Sequence, residues 1–410
     1  MKSCTMPTMA QHSDRKGPGR QTGKRGQMMD FSPTEQQQAI FDMARAFTDA
    51  HIAPYAIEWD RTRHFPVDVI RKTAELGMAG IYVREDHGGS GLSRLDATLI
   101  FEALSYGCPS IAAFLSIHNM CAWMIDDFGS DSQRAHWLPQ LCSMDKIAGY
   151  CLTEPGSGSD ASALRTKAVP DGDELVLNGT KAFISGGGAA DLYLVMARTG
   201  GAGPKGISTL LVEAGTQGLS FGANEKKMGW NAQPTAQLQF DDCRIPATSL
   251  LGDEGSGFTY AMKGLDGGRL NIAACSLGAA QNALDRAARY MQQRHAFGGP
   301  IASLQALQFK LADMETGLQA ARIFLRQAAW KLDSDAPDAR KFCAMAKRLV
   351  TDTAFTVAND ALQIHGGYGY LADYGLEKIV RDLRVHQILE GTNEIMRVII
   401  ARDLLDETGR

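Results

Sequence analysis

The chain has 410 residues, of which 44% are apolar and 21% charged, and its formal net charge is −4. This composition is typical of a soluble globular protein with a substantial core, because no apolar run approaches the roughly 18–20 residues of a membrane helix, and the acidic balance argues against nucleic-acid binding. The eight cysteines are scattered without a C-x-x-C pair, which argues against a zinc site or redox pair and fits a reducing compartment.

The first region, residues 1–29, is a basic and glycine-rich tail. Residues 1–28 hold six basic side chains, one acid and almost no aliphatic residues, so they are predicted to be disordered. The tail lacks the apolar stretch of a secretory signal and the amphipathic face of a transit peptide. A native start at Met28 or Met29 is the alternative interpretation.

Residues 30–150 are predicted to form an N-terminal helical domain. Ser32 and Pro33, followed by Glu35, resemble a helix start with its cap, a first-position proline and an acid in the first turn. The segments "RLDATLIFEALSYG" and "FLSIHNMCAWMIDDFG" repeat apolar residues at helical spacing and end in glycine.

Residues 151–256 are predicted to form a central β domain. "DELVLNGTKAFIS" contains two apolar runs around Asn178-Gly179, which predicts a hairpin with its turn at that pair. "GISTLLVEAG" and "AQLQFDDCRIP" also have the pattern of strands.

Residues 257–410 are predicted to be helical again. The first helix should continue through Gly264, Gly267 and Gly268, although each glycine costs about 1 kcal/mol relative to alanine, so close backbone approach is expected there. Further helices are predicted near 303–333, 338–364, 376–389 and 394–405. Helices, strands and helices in this order predict an α+β fold with segregated domains.

Five segments carry candidate chemistry, and each has a structural explanation when it is taken alone. No dinucleotide-binding G-x-G-x-x-G motif follows a strand, and no phosphate-binding G-K-[ST] loop or H-E-x-x-H metal motif occurs. "CLTEPGSGSD" could be a linker, "KAFISGGG" a strand and its turn, "RHAFGGPIA" an interhelix turn, and "LQIHGGYGY" a helix end with more glycines than a cap needs. In "ILEGTNEI", Glu390 follows two apolar residues, which would raise its pKa toward that of a general base, unless it is simply exposed.

Taken together, these segments resemble the acyl-CoA dehydrogenase family of flavoenzymes over essentially Phe31 to Leu405. "YCLTEPGSGSD", "RHAFGGPIA", "GGYGY" and "ILEGTNEIMR" are similar to the signatures of that family in order and spacing. The resemblance implies an N-terminal helical domain, a central antiparallel β domain and a C-terminal four-helix bundle, usually in a homotetramer. It also implies FAD as the cofactor, bound between the β domain and the bundle.

The resemblance assigns the FAD contacts residue by residue. Those around the isoalloxazine ring would be Leu152, Thr153, Phe183 and Ser185, although the family often has Trp and Thr at the last two positions. Those reaching the FAD of the adjacent subunit would be Arg294, Phe297 and Gln305. Gln363, Gly366 and Gly367 would contact its pyrophosphate and adenosine side, and Thr392 and Glu394 would complete the set.

The resemblance also assigns the chemistry. Glu390 would be the base that removes the α-proton of an acyl-CoA, and its backbone N–H would bind the thioester carbonyl. Some relatives carry the base at the position of Gly268, which has no side chain here. Ser159, Asp266 and Arg269, with Gly391, would contact the CoA substrate.

The implied reaction is α,β-dehydrogenation of a short branched-chain acyl-CoA with electrons passed to an electron-transfer flavoprotein. "SIHNMCAWMIDDFG" and "GWNAQPTAQLQFDDC" are similar to the branch that oxidises isobutyryl-CoA to methacrylyl-CoA in valine degradation. Another short or 2-methyl-branched acyl-CoA, an acyl-CoA oxidase and a flavin-free scaffold of the same fold are the alternatives. The expected location is the cytoplasm of a bacterium, or the mitochondrial matrix in a eukaryote.

Overall fold

The computed structural model describes residues 32–408, so the predicted tail, residues 1–29, lies outside the described residues. Helices precede and follow a block of strands. The helices are α1 Glu35–His51, α2 Ala56–Thr62, α3 Val67–Lys72, α4 Arg94–Gly107, α5 Pro109–Phe128, α6 Asp131–Cys142, α7 Gly257–Gln293, α8 Gln305–Asp333, α9 Ala339–His365, α10 Leu376–His386 and α11 Asn393–Thr408. The predicted α+β architecture is confirmed.

Helix α1 begins later than the sequence pattern predicted. Its cap is Thr34, whose hydroxyl accepts a hydrogen bond from the Gln37 N–H at 3.2 Å, while the Gln37 side chain accepts from the Thr34 N–H at 3.1 Å. The assignment of the cap to Ser32 is therefore wrong by two residues. A threonine followed three residues later by glutamine satisfies two helix-end donors at once, and in the structure Thr34 and Gln37 form this pair.

Within residues 32–408, β9 His295–Ala296 and β10 Gly299–Pro300 form a two-stranded sheet of their own. The other eight strands form one sheet in the order β6-β7-β3-β2-β4-β5-β8, with β1 also paired to β4. They are β1 Ala148–Cys151, β2 Lys167–Asp171, β3 Glu174–Ser185, β4 Leu192–Arg198, β5 Ile207–Glu213, β6 Leu219–Phe221, β7 Thr235–Pro246 and β8 Leu250–Leu251. Most pairs are antiparallel, and the pairings of β4 with β1 and with β2 are parallel.

The predicted hairpin at Asn178-Gly179 is wrong. Strand β3 runs through this pair without turning, and the chain reverses instead at Gly172, between β2 and β3. Asn178-Gly179 is a point where the register of β3 against β7 shifts. The Asn178 side chain is held by Asp242 of β7, at 3.0 and 2.9 Å, so a sequence typical of a turn is used here for a bulge.

Helix α7 lies at the centre of the helical part and packs against α4, α5, α8, α9 and α10. It is one helix of 37 residues, as predicted. At Gly278 an added Cβ would lie 2.0 Å from the Glu102 carbonyl oxygen of α4, so this position needs glycine for backbone packing. This central helix also carries one wall of the candidate site.

Within residues 32–408, no helix combines the length and the apolar character needed to cross a membrane. The seven cysteines in this part of the chain are all free and buried.

Candidate active site

Glu390 lies in the turn between α10 and α11. Helix α10 ends at His386, so the prediction that it continues to residue 389 is wrong. The Asn393 N–H donates to the Gln387 carbonyl at 3.0 Å and closes the turn, while Glu390 and Gly391 have φ angles of 55° and 89°. A left-handed glutamate is strained by about 1–2 kcal/mol, and such strain is typical of functional turns.

The Glu390 carboxyl group points against helix α7. Its Oε2 is buried without a hydrogen-bond partner among the described residues, and a Cβ added at Gly268 would lie 2.8 Å from that oxygen. Gly268 therefore leaves the space that the carboxyl group occupies. Ile388 is 50% exposed, whereas Leu389 is partly buried and packs against the core, so Ile388 adds little to the burial of the carboxyl group.

Burial has a direct effect on the protonation of this group. Desolvation raises the pKa of Glu390 to about 7, against the opposing effects of the Lys347 and Arg269 cations. A carboxyl group with a pKa near neutrality can both accept and hold a proton under physiological conditions. The site thus contains a group suited to general-base chemistry.

Two cations hold the backbone on either side of Glu390. The Arg269 Nε donates to the Glu390 carbonyl at 3.4 Å, and Arg269 also forms an ion pair with Asp266 one turn earlier on α7. From α9, the Lys347 ammonium donates to the Gly391 carbonyl at 2.8 Å. The turn is therefore fixed between α7 and α9.

Polar side chains outside the turn add further anchors. Asp352 of α9 accepts hydrogen bonds from Gln387 at 2.8 Å and from Asn393 at 2.7 Å. At the end of α10, the His386 Nε2 accepts from the Trp230 indole N–H at 3.1 Å. Since an indole can only donate, Nδ1 carries the proton and donates to the Ser276 hydroxyl at 2.8 Å.

Burial also determines the charge of His386. Its pKa is lowered to about 3, first by desolvation and then by the nearby Lys347 cation. His386 is therefore neutral at physiological pH and acts as an uncharged link between α7, α10 and the loop that carries Trp230.

The residues predicted to contact the CoA substrate are only partly brought together. Arg269 and Gly391 lie beside Glu390, and Asp266 is paired with Arg269. Desolvation raises the pKa of Asp266, against the Arg269 and Arg340 cations. Ser159 lies in the exposed part of the loop after β1, and its role stays a prediction.

A second cluster forms where the loop after β1 meets β3. The Ala182 N–H donates to the Thr153 carbonyl at 2.8 Å, which places Thr153 next to Phe183. Phe183 has a φ angle of 58° and is 68% exposed, although it is a large apolar side chain. Ser185 is partly exposed, and Leu152 is buried beneath the loop. The cluster presents an exposed ring beside polar backbone groups.

Lys181 and Glu154 support this cluster from below, and sequence reasoning missed both. The buried Lys181 ammonium donates to the Leu152 carbonyl at 3.0 Å and to Glu154 at 2.8 Å. Glu154 also accepts from the backbone N–H groups of Arg165 and Thr166. A lysine within an otherwise apolar strand segment was the sequence signal for this role.

A third feature is a cavity of about 450 Å³ between the end of α7 and the glycines that follow α9. Arg294 lines it, and a Cβ at Gly366 or Gly367 would meet nothing within 4 Å. The Arg294 guanidinium lies 5.7 Å from the centre of the Tyr368 ring. The cavity thus combines a cation, an aromatic wall and space beside a bare backbone.

The other predicted cofactor contacts are mostly at the surface. Phe297 is 93% exposed, and Gln305, Gln363 and Glu394 are exposed as well. The Thr392 hydroxyl accepts from the Ile395 N–H at 3.2 Å, so it caps α11. Their assignment to a cofactor stays a prediction.

The chain matches family models described as the acyl-CoA dehydrogenase N-terminal domain over residues 34–145, the middle domain over residues 149–243 and the C-terminal domain over residues 255–405.

Similar proteins and structures cover nearly the whole chain. It is 56% identical to the mitochondrial isobutyryl-CoA dehydrogenase of Bos taurus over 91% of this chain and 90% of the relative. It is 57% identical to the protein of the same name in Dictyostelium discoideum, over 90% and 89% of the two chains. The solved butyryl-CoA dehydrogenase of Megasphaera elsdenii matches with a TM-score of 0.89 and 39% identity, covering 92% of this chain and 100% of that one. The chain belongs to the acyl-CoA dehydrogenase family.

Proposed function

We propose that this protein is an FAD-dependent dehydrogenase that converts isobutyryl-CoA to methacrylyl-CoA, a reaction of valine degradation, and passes the electrons to an electron-transfer flavoprotein. The main support is the Glu390 carboxyl group, which is buried against Gly268 and has a pKa near 7. The two mitochondrial relatives named isobutyryl-CoA dehydrogenase support the choice of acyl group.

Glu390 acts as the general base in this proposal. Its carboxylate takes the α-proton of the acyl-CoA, and the backbone N–H of Glu390 donates to the thioester carbonyl. A donor at this oxygen stabilises the negative charge that develops as the proton leaves. The turn is anchored by Arg269, Lys347 and Asp352, which keeps the base and this donor in one fixed geometry.

The exposed features around the site fit FAD. The Phe183 ring and the backbone at Thr153 suit a flat, hydrogen-bonding ring system, and Arg294 beside the open glycines suits an anionic phosphate group. Leu152, Ser185, Gln305, Gln363, Thr392 and Glu394 complete the proposed set, with Phe297. When bound, FAD supplies the acceptor for the hydride that leaves the β-carbon.

Replacing Arg294 with alanine should weaken FAD binding, because it removes a cation that can form charge-assisted hydrogen bonds with an anionic cofactor. Such bonds contribute about 1.5–3 kcal/mol, so the dissociation constant should rise on the order of 10- to 100-fold. FAD release during dialysis, followed by absorbance, measures this change. The exposed Arg61 of α2, changed to alanine, serves as the control, and equal retention of FAD in both variants would contradict the role of Arg294.

The proposal further includes a homotetramer, because residues such as Phe297 and Tyr370 are 93% and 81% exposed and would be covered by another subunit. Size-exclusion chromatography with light scattering tests this assembly. The proposed location is the bacterial cytoplasm, or the mitochondrial matrix if the source is a eukaryote.

Anaerobic mixing with a panel of acyl-CoAs tests the function as a whole. Isobutyryl-CoA should bleach the flavin faster than butyryl-CoA, isovaleryl-CoA or 2-methylbutyryl-CoA. Selectivity between such substrates is modest, since one methylene in an apolar pocket changes binding by about 1–3 kcal/mol. If another acyl-CoA of the panel bleached the flavin faster, that compound would be the preferred substrate. A colourless protein that binds no flavin would favour a scaffold role.

A further inference from the structure

Lys347 is a fully buried lysine on helix α9. Its side chain is 0% exposed and lies on the same helix face as the buried Cys343, Val350 and Ala354. The ammonium donates to the Gly391 carbonyl and to the Asn393 Oδ1, both at 2.8 Å. These acceptors lie one and three residues after Glu390, so the cation is placed directly against the turn that carries the base.

The direct partners of this ammonium are neutral oxygens. A buried cation is unfavourable unless negative charge lies nearby, and burial lowers the pKa of Lys347 to about 8. Among the charges around it, Glu390 has the largest stabilising effect. The lysine and the glutamate thus form the main pair of opposite charges at the turn, although they do not share a hydrogen bond in the structure.

Several ionisable groups face this pair from the surrounding elements. Glu390 is affected by Lys347 of α9 and by Arg269 of α7, and it in turn acts on Cys275, Tyr82 and Tyr150. The groups that act on Lys347, besides Glu390, are Arg269, Asp352 and Glu394. The two cations around the base are therefore Lys347 and Arg269.

Arg269 and Lys347 differ in their charge balance. Arg269 has its own carboxylate partner, Asp266, so part of its field at Glu390 is cancelled. The ammonium of Lys347 makes its two hydrogen bonds to a carbonyl and an amide oxygen. The charge of Lys347 is consequently the better placed of the two to influence the protonation of the base.

We propose that Lys347 is a positioning residue for the reaction, which fixes the Gly391 carbonyl and supplies the positive charge that favours the carboxylate form of Glu390. This inference rests on the proposed function, in which Glu390 is the base. Its role is electrostatic as well as structural, and the two roles can be separated experimentally.

The turn has enough other anchors to survive the loss of this charge. Gln387 and Asn393 both donate to Asp352, Asn393 also donates to the Thr351 hydroxyl at 3.0 Å, and Arg269 holds the Glu390 carbonyl. Removing the ammonium therefore leaves the path of the chain defined from both α7 and α9.

The test uses Lys347→Met, which removes the charge and both hydrogen bonds, and Lys347→Gln, whose amide can still donate to an oxygen without carrying charge. The half-buried Lys331 of α8, which pairs with Asp338, is changed to methionine as the control. The rate of flavin reduction by isobutyryl-CoA is measured in the purified holoenzymes after anaerobic mixing, from about pH 5.5 to 9.5, a window that begins below the pKa of about 7 for Glu390 and extends above it.

Loss of a nearby cation makes the carboxylate less favourable, so the pKa of the base must rise. A neighbouring opposite charge changes a pKa by roughly 1 to 3. The acidic limb, which is the part of the profile where the rate falls as the pH is lowered, should move to higher pH by that amount in both Lys347 variants. Because only the carboxylate form accepts the proton, the rate on the acidic side should fall about 10-fold for each unit of this change. At high pH the rate of Lys347→Gln should approach that of the wild type, whereas the rate of Lys347→Met should stay lower, because the Gly391 carbonyl has lost its donor. Lys331→Met should keep the wild-type profile.

Three results would overturn the inference. The acidic limb could stay in place in both Lys347 variants, the rate could fall equally at every pH, or both variants could fail to fold with FAD, which would make Lys347 a purely structural residue. A wild-type protein whose flavin no acyl-CoA reduces would overturn the proposed function and this inference with it. A wild type that is reduced, beside variants with an unmoved limb, overturns the inference alone.

Discussion

Replacing Glu390 with glutamine should leave a yellow protein that binds isobutyryl-CoA but does not reduce its flavin. The amide is nearly the same size as the carboxyl group, so the turn and its anchors should persist. It cannot accept the α-proton, and general-base catalysis typically contributes on the order of 10²–10⁴ in rate. With no side chain at Gly268 to substitute, the loss should lie at or beyond the upper end of that range.

Rapid mixing under anaerobic conditions measures this loss, and the same change at the exposed Glu213 of β5 provides the control. Substrate binding is followed separately by calorimetry, so that a defect in binding is not mistaken for one in chemistry. Flavin reduction at close to the wild-type rate in Glu390→Gln would place the base elsewhere in the protein.

Gly268→Ala should fold and still lose much of its activity. The new Cβ would lie 2.8 Å from Glu390 Oε2 and 3.2 Å from its Cδ, closer than the carboxyl group can tolerate, so the end of a flexible side chain must move. A displacement of about 1 Å in a catalytic group can cost on the order of 100-fold in rate. The free energy of unfolding should change little. Alanine is favoured over glycine in helices by about 1 kcal/mol, and this gain offsets the cost of moving the Glu390 side chain.

The matched control is Gly317→Ala on α8, where the added Cβ would make ordinary contact with Thr353 Cγ2 at 3.4 Å. This variant should be as active as the wild type and equally or more stable in thermal unfolding. If Gly268→Ala reduced its flavin as fast as Gly317→Ala, the placement of the carboxyl group against α7 would be wrong.

Local sequence patterns were sufficient for much of the fold. Apolar spacing predicted α7 as one helix in spite of Gly264, Gly267 and Gly268, which is confirmed, whereas the prediction of close backbone approach at these glycines is wrong. The approaching groups are side chains, namely Met124 at 3.0 Å, Arg94 at 2.5 Å and Glu390 at 2.8 Å from the added Cβ positions. Periodicity succeeds here because helix formation and the burial of one face depend on residues near one another in sequence.

The same local reasoning failed at Asn178-Gly179, where it predicted a turn. A strand bulge and a hairpin turn both favour asparagine and glycine, since both need unusual backbone angles. The choice between them came from pairing with β7 and from the hydrogen bonds of Asn178 to Asp242, and these partners are distant in sequence.

For the site, the sequence by itself determined that Glu390 is an acid in a family signature and that position 268 offers no second carboxylate. Only the tertiary structure decided that the carboxyl group lies against Gly268, that Lys347 holds the next carbonyl, and that the pKa of Glu390 is near 7. The reason is physical, because desolvation and charge–charge interactions depend on distances through space, and packing alone brings α7, α9 and the turn after α10 together.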